Sequence, residues 1–166
     1  MAHSDTDYAH TGHRRIGALL LIRNESGNVL LVSPSYKEGD QLVGGGAKPG
    51  ETPHEAAYRE GVEEIGLHGL TVGGLLLVDY IAANADTGAV EGYNFVFDGG
   101  VIPDTPRITL PVGLPGQEPE LTGWSFCPPA ALDEFCRPYQ ARRIRAALAA
   151  LDDASQRGLR IEGRPA

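Results

Sequence analysis

The chain has 166 residues, 42% of them hydrophobic and 22% charged, with a formal net charge of −8. These values fit one globular domain with an ordinary core. The acidic balance argues against a nucleic-acid partner, because an acidic surface without clustered positive charge repels a phosphate backbone.

The polar, His-rich segment Met1 to Arg15 has no apolar signal region. The longest apolar run, Ile16 to Ile22, is far too short to span a bilayer. A cytoplasmic protein without a membrane partner is therefore expected. Residues 1–13 read as a disordered lead-in, where His3, His10 and His13 would bind metal only adventitiously. The domain is expected over 14–158, and 159–166 as a C-terminal tail.

Arg15 to Ile22 and Val29 to Ser33 are apolar and flank the turn residues Asn24 to Asn28, which predicts a β-hairpin. Tyr36 to Gly46 reads as a loop and short strand ending in glycines. Thr52 to Ile65 reads as a helix. Thr71 to Ala82 and Gly92 to Phe97 follow as strands. Gly99 to Gly123, rich in proline, reads as a long loop. Trp124 to Cys127 is a short strand, Pro129 to Phe135 a helical turn, and Ala141 to Gln156 a helix stopped by Gly158. Mixed strands with few helices predict an α/β sandwich. Cys127 and Cys136 match no zinc or redox spacing and read as reduced thiols.

The helix after the glycines has strong end signals. Thr52-Pro53-His54-Glu55 forms a capping box with proline at the first helical position, and Gly66 stands where a left-handed C-cap belongs. Within it lies Arg59-Glu60-Gly61-Val62-Glu63-Glu64. Residues three and four apart share a face, so Glu60 projects beside Glu63 and Glu64. Their mutual repulsion, near the negative end of the helix dipole, is relieved by a divalent cation. Oxygen ligands favour a hard ion, Mg²⁺ or Mn²⁺. Taken alone, the string reads better as a solvated acidic face. The preceding Gly44-Gly45-Gly46 and Gly50 would let backbone approach a metal or phosphate.

Together these residues resemble the Nudix box, G-x5-E-x7-R-E-U-x-E-E-x-G-U with U bulky and apolar. Gly45, Glu51, Arg59, Glu60, Glu63, Glu64, Gly66 and Leu67 fit it, and Gly61 departs. The resemblance implies a Nudix-type α/β/α sandwich with a mixed sheet. It implies an enzyme that hydrolyses a phosphoanhydride bond in a nucleoside diphosphate linked to another moiety. Glu60, Glu63 and Glu64 would hold Mg²⁺ with the carbonyl of Gly44. Arg59 would orient Glu60, and Glu51 would support the loop. The general base stays open among the box glutamates and an extra loop acid, for which Glu120 is preferred over Glu118.

Tyr36, Lys37, Asp79, Tyr80 and Tyr93 are candidates to line a base or sugar pocket, and Lys48, where many relatives have glutamate, bears on substrate handling. Arg142, Arg143 and Arg145 read as the solvated face of the last helix. Gly61 leaves the helix either loose or pressed against a bulky neighbour, and close packing is expected. Signals of particular substrates are negative. Ala82 lies where ADP-ribose-cleaving relatives carry proline, and the strings of the dinucleotide and coenzyme A groups are absent. The competing reading is a non-catalytic Nudix-like nucleotide-binding or regulatory module. A homodimer stays open.

Overall fold

The computed structural model describes residues 14–85, 90–113 and 116–166. The lead-in expected over 1–13, with its three histidines, lies outside them. Eight strands form one mixed sheet: β1 Arg15–Asn24, β2 Val29–Pro34, β3 Val43–Gly46, β4 Leu75–Ile81, β5 Gly92–Ile102, β6 Leu121–Cys127, β7 Gly158–Ile161 and β8 Arg164–Pro165. Their order is β6-β2-β1-β5-β4-β7-β8, and β3 also pairs with β1. The helices are α1 Pro53–Ile65, α2 Leu132–Phe135 and α3 Pro138–Asp152. No helix among the described residues is long and apolar enough to cross a membrane.

The apolar run of β1 is buried on both faces because it lies inside the sheet. Alternation sends Ala18, Leu20 and Ile22 into the core that contains Ala56, Ala57 and Ile65 of α1. Leu19 and Leu21 face the opposite core, with Ala141, Ile144, Ala147 and Ala150 of α3. The sheet thus sits between two helical layers, the expected α/β/α sandwich. The β1–β2 turn is closed by Asn24, whose side-chain oxygen accepts from the Asn28 amide at 2.7 Å. Cys127 and Cys136 are free thiols buried in the α3-side core.

Helix α1 starts and stops where its signals place it. Thr52 and Glu55 complete the capping box, and Gly66 takes φ 68°. Its buried positions Ala57, Gly61, Glu64 and Ile65 recur at helical spacing. Gly61 is closely packed: a Cβ there would lie 2.8 Å from Leu70 Cδ2 and 3.0 Å from Leu20 Cδ1.

Several boundaries differ from the sequence reading. Strand β5 continues to Ile102, into the expected loop. Gly99 permits this, since a Cβ there would collide with Ile22. Strand β4 begins at Leu75, after Gly73 and Gly74. Helix α3 begins at Pro138, which sits in its first turn, where its missing N–H costs nothing. The segment read as a tail is structured: β7 runs parallel to β4, with Leu77 opposite Gly158 and Tyr80 opposite Ile161. Glu162 and Gly163, at φ 51° and 77°, form the two-residue turn to β8. Both dihedrals are those of the hairpin turn whose twist suits paired strands.

Candidate active site

The box glycines bring β3 against α1. A Cβ on Gly45 would strike the Glu60 carboxylate, with Oε1 at 2.5 Å. The Gly44 amide donates to Glu64 Oε2 at 2.7 Å. Glu64 is 6% exposed, and burial pushes its pKa up to about 8, against the opposing Gly44 bond. Burial also raises Glu60, opposed by Arg59.

Arg59 is the hub of the cluster. Its Nε donates to Glu51 Oε1 at 2.7 Å, and its Nη2 to Glu51 Oε2 at 2.9 Å and to the Gly46 carbonyl at 2.9 Å. Its Nη1 donates to Glu60 at 2.7 Å and Glu63 at 2.8 Å. Such a fork of charge-assisted bonds fixes carboxylates in place. Hydrogen bonds from Arg59, then from the Lys48 amide, hold Glu51 down at about 2. Arg59 thereby supplies the positive charge that the acidic string requires. Among the described residues, no three His, Cys, Asp or Glu side chains converge at metal-ligand spacing in this arrangement.

An open cavity of about 570 Å³ lies over this cluster. Glu60, Glu63, Arg59, Glu120, Tyr36, Lys37, Lys48 and Gly44 all line it, so residues far apart in sequence meet there. Glu64 lies behind Gly44, beneath the cavity rather than on its wall. Lys48 Nζ is 3.7 Å from Glu63 Oε1, and Lys37 Nζ sits 5.3 Å from the Tyr36 ring centre. Burial, then the neighbouring Arg15 and Arg143, lower the Lys37 pKa.

Tyr80 lies elsewhere. Its hydroxyl donates to Glu91 at 2.7 Å, and its ring meets Tyr93 at 5.4 Å. Alternation along β4 explains this: Ile81 reaches the cavity wall, Asp79 faces α3, and Tyr80 points the other way. Arg143 also departs from the sequence reading. Only 6% exposed, it donates to the fully buried Asp79 at 2.6 Å and lines the cavity. Arg145 is half-buried and pairs with the exposed Asp133, as a solvated face would have it.

Sequence reasoning missed Arg15, Asn94, Tyr139 and Gln140, which line the α3-facing end of the cavity. Their spacing in the chain carries no signal. Only the pairing of β1 with β5, which sets Gly17 opposite Asn94, brings the first two together.

A NUDIX-domain family model matches residues 13–149. The fold is similar to solved structures of low identity. A MutT protein from Methanosarcina mazei Go1 is 22% identical with a TM-score of 0.67, covering 86% of this chain and 99% of its own. The E. coli dihydroneopterin triphosphate pyrophosphohydrolase is 17% identical with a TM-score of 0.64, covering 81% and 96%. The NUDIX domain of Shewanella oneidensis NrtR, complexed with ADP ribose, is 13% identical with a TM-score of 0.65, covering 89% and 94%. No curated protein sequence matches the chain significantly.

Proposed function

Since the chain belongs to the NUDIX family, we propose that it is a pyrophosphohydrolase. It cleaves a phosphoanhydride bond in a nucleoside diphosphate linked to a second moiety, with Mg²⁺, or Mn²⁺ in its place. The observation that carries this reading is the meeting of Glu60, Glu63 and Glu120 with Lys37, Lys48 and Arg59 around one cavity.

The residues suit a hard divalent cation. All the donors are oxygens, and the buried Glu64 is costly as an anion unless positive charge stands near it. Glu60, Glu63 and Glu64, with the Gly44 carbonyl, would hold the ion. Bound there, it supplies neutralisation of the diphosphate and withdraws charge from phosphorus. Arg59 holds Glu60 and Glu63 in position. Lys37 and Lys48 attract the diphosphate, and Tyr36 flanks it at the cavity mouth. Glu120 accepts the proton of the attacking water, being a solvent-exposed cavity acid that Arg59 does not bind. The nearby Glu120 charge is among the influences that raise Glu60 and Glu64. A binding-only module needs no such set of carboxylates, and this chain retains every one of the box.

The test is product release from nucleotide sugars, dinucleotides and nucleoside triphosphates, with and without Mg²⁺. Turnover is expected only with the ion, and sustained turnover in excess chelator would sink the reading. Glu64→Gln is expected to lower kcat by at least about 10², the loss of an electrostatic partner of the transition state. It should still fold, because glutamine copies the neutral carboxyl. Near-wild-type kcat at saturating Mg²⁺ would remove Glu64 from the ligand set.

A further inference from the structure

Resting on the nucleotide-hydrolase reading, we infer that the α3-facing end of the cavity selects a keto nucleobase, with a carbonyl beside a ring N–H, over its amino counterpart. Asn94 on β5 is 2% exposed, and its Nδ2 is buried with no hydrogen-bond partner among the described residues. Its Oδ1 accepts from Arg15 Nη2 at 3.0 Å. A guanidinium only donates, so Arg15 fixes which way the amide faces, and Nδ2 is the end left over. Gln140, in the first turn of α3, is 4% exposed, and its Oε1 is likewise buried without a partner.

Buried unpaired polar atoms are uncommon in folded proteins. Here two residues that line one cavity carry them, one a donor and one an acceptor. A base edge entering between them satisfies both, the Gln140 amide turning about its soft terminal torsion while Arg15 holds Asn94. Arg143 stands beside them, fixed by Asp79 at 2.6 Å and set 5.5 Å from the Tyr139 ring centre. Arg15, Asn94 and Arg143 therefore all offer donors. An exocyclic amino group meets such a set donor against donor unless the base turns it toward Gln140, which leaves a single ring-nitrogen lone pair for all the donors, whereas a carbonyl offers two. The ring N–H beside the carbonyl then serves Gln140 Oε1. A phosphate group offers acceptors alone and leaves that oxygen unpaired.

The test is calorimetric binding of two matched pairs, inosine against adenosine diphosphate and uridine against cytidine diphosphate, in chelator. Each pair differs chiefly in keto against amino. The keto member is expected to bind about tenfold tighter or more, since a mismatched buried donor forfeits its hydrogen bond. Asn94→Asp keeps a partner for Arg15 and turns the free donor into an acceptor, so the preference should reverse. Gln140→Met suits the helix and should weaken keto binding without reversing the preference. Melting temperatures check that both variants fold. Equal affinities within each pair, no binding, or an unchanged preference in folded Asn94→Asp would each overturn the inference. So would full competition by pyrophosphate alone with no base preference, which would mark a phosphate site. Binding is read without turnover, so failure of hydrolysis with the preference intact sinks the catalytic reading instead.

Discussion

Glu51 touches neither the cavity nor the core, yet it carries the charge that anchors Arg59. Its folded pKa is about 2, against an ordinary 4.5, because the Arg59 bonds and the Lys48 amide favour its anion. A depressed carboxylate contributes stability that is fully present above the unfolded value and lost as pH falls through the folded one. Its contribution therefore persists at neutral pH and fades between 4.5 and about 2. Glu51→Gln should lower the melting temperature at pH 7, and the gap to wild type should close as pH falls toward about 2. Parallel melting curves across that range would refute the assignment. The resemblance to the box implied that Glu51 supports the loop, and its bonds with Arg59 and the Lys48 amide are how it does so. Glu64 was only half legible. Its helical face was clear from the sequence, but its burial behind Gly44 depends on how closely two glycines let β3 approach α1.

At the scale of elements, α1 shows how one absent side chain is balanced by another segment. The family pattern places a bulky apolar residue at position 61. Here Leu70, from the loop after the helix, takes the adjoining space with Leu20 of β1. Gly61→Leu should lower stability by about 1–3 kcal/mol through overpacking, partly offset by about 1 kcal/mol of helix propensity. Leu70→Ala opens the same space, so the double variant should be less destabilised than the two single changes predict together. Denaturant midpoints for the four-protein cycle measure that coupling, and strict additivity would show the sites to be independent. Hairpin and helix boundaries were legible where capping and turn chemistry is local. Strand β5 was not read past Phe97, because Gly99 and Gly100 look like a turn, whereas Gly99 makes a close approach to β1 and Gly100, at φ 76°, lies where the β1 pairing shifts register.

At the scale of the molecule, the chain end and the cavity are joined. Asp79 Oδ1 accepts from the Gly163 amide at 2.8 Å while Oδ2 holds Arg143, and Arg142 Nε donates to the Glu162 carbonyl at 2.9 Å. Removing residues 158–166 strips β4 of its parallel neighbour and leaves a fully buried carboxylate short of one donor. The truncated protein should melt at lower temperature and bind nucleoside diphosphates more weakly, as read by calorimetry. An unchanged melting temperature would show the hairpin to be an appendage. Nothing local announced this coupling. Gly158 reads as a helix stop, and the link between residues 79 and 163 exists only once the sheet is assembled.

The two-residue strand β8 also bears on what the sheet does in company. An open sheet invites further chains onto its last strand, and such growth leads to aggregation. Here the outermost strand at that end is only Arg164 and Pro165. It bears a fixed charge, and its proline offers no N–H to bond. The tight turn at Glu162 and Gly163 thus closes this flank of the molecule against strand-by-strand polymerisation.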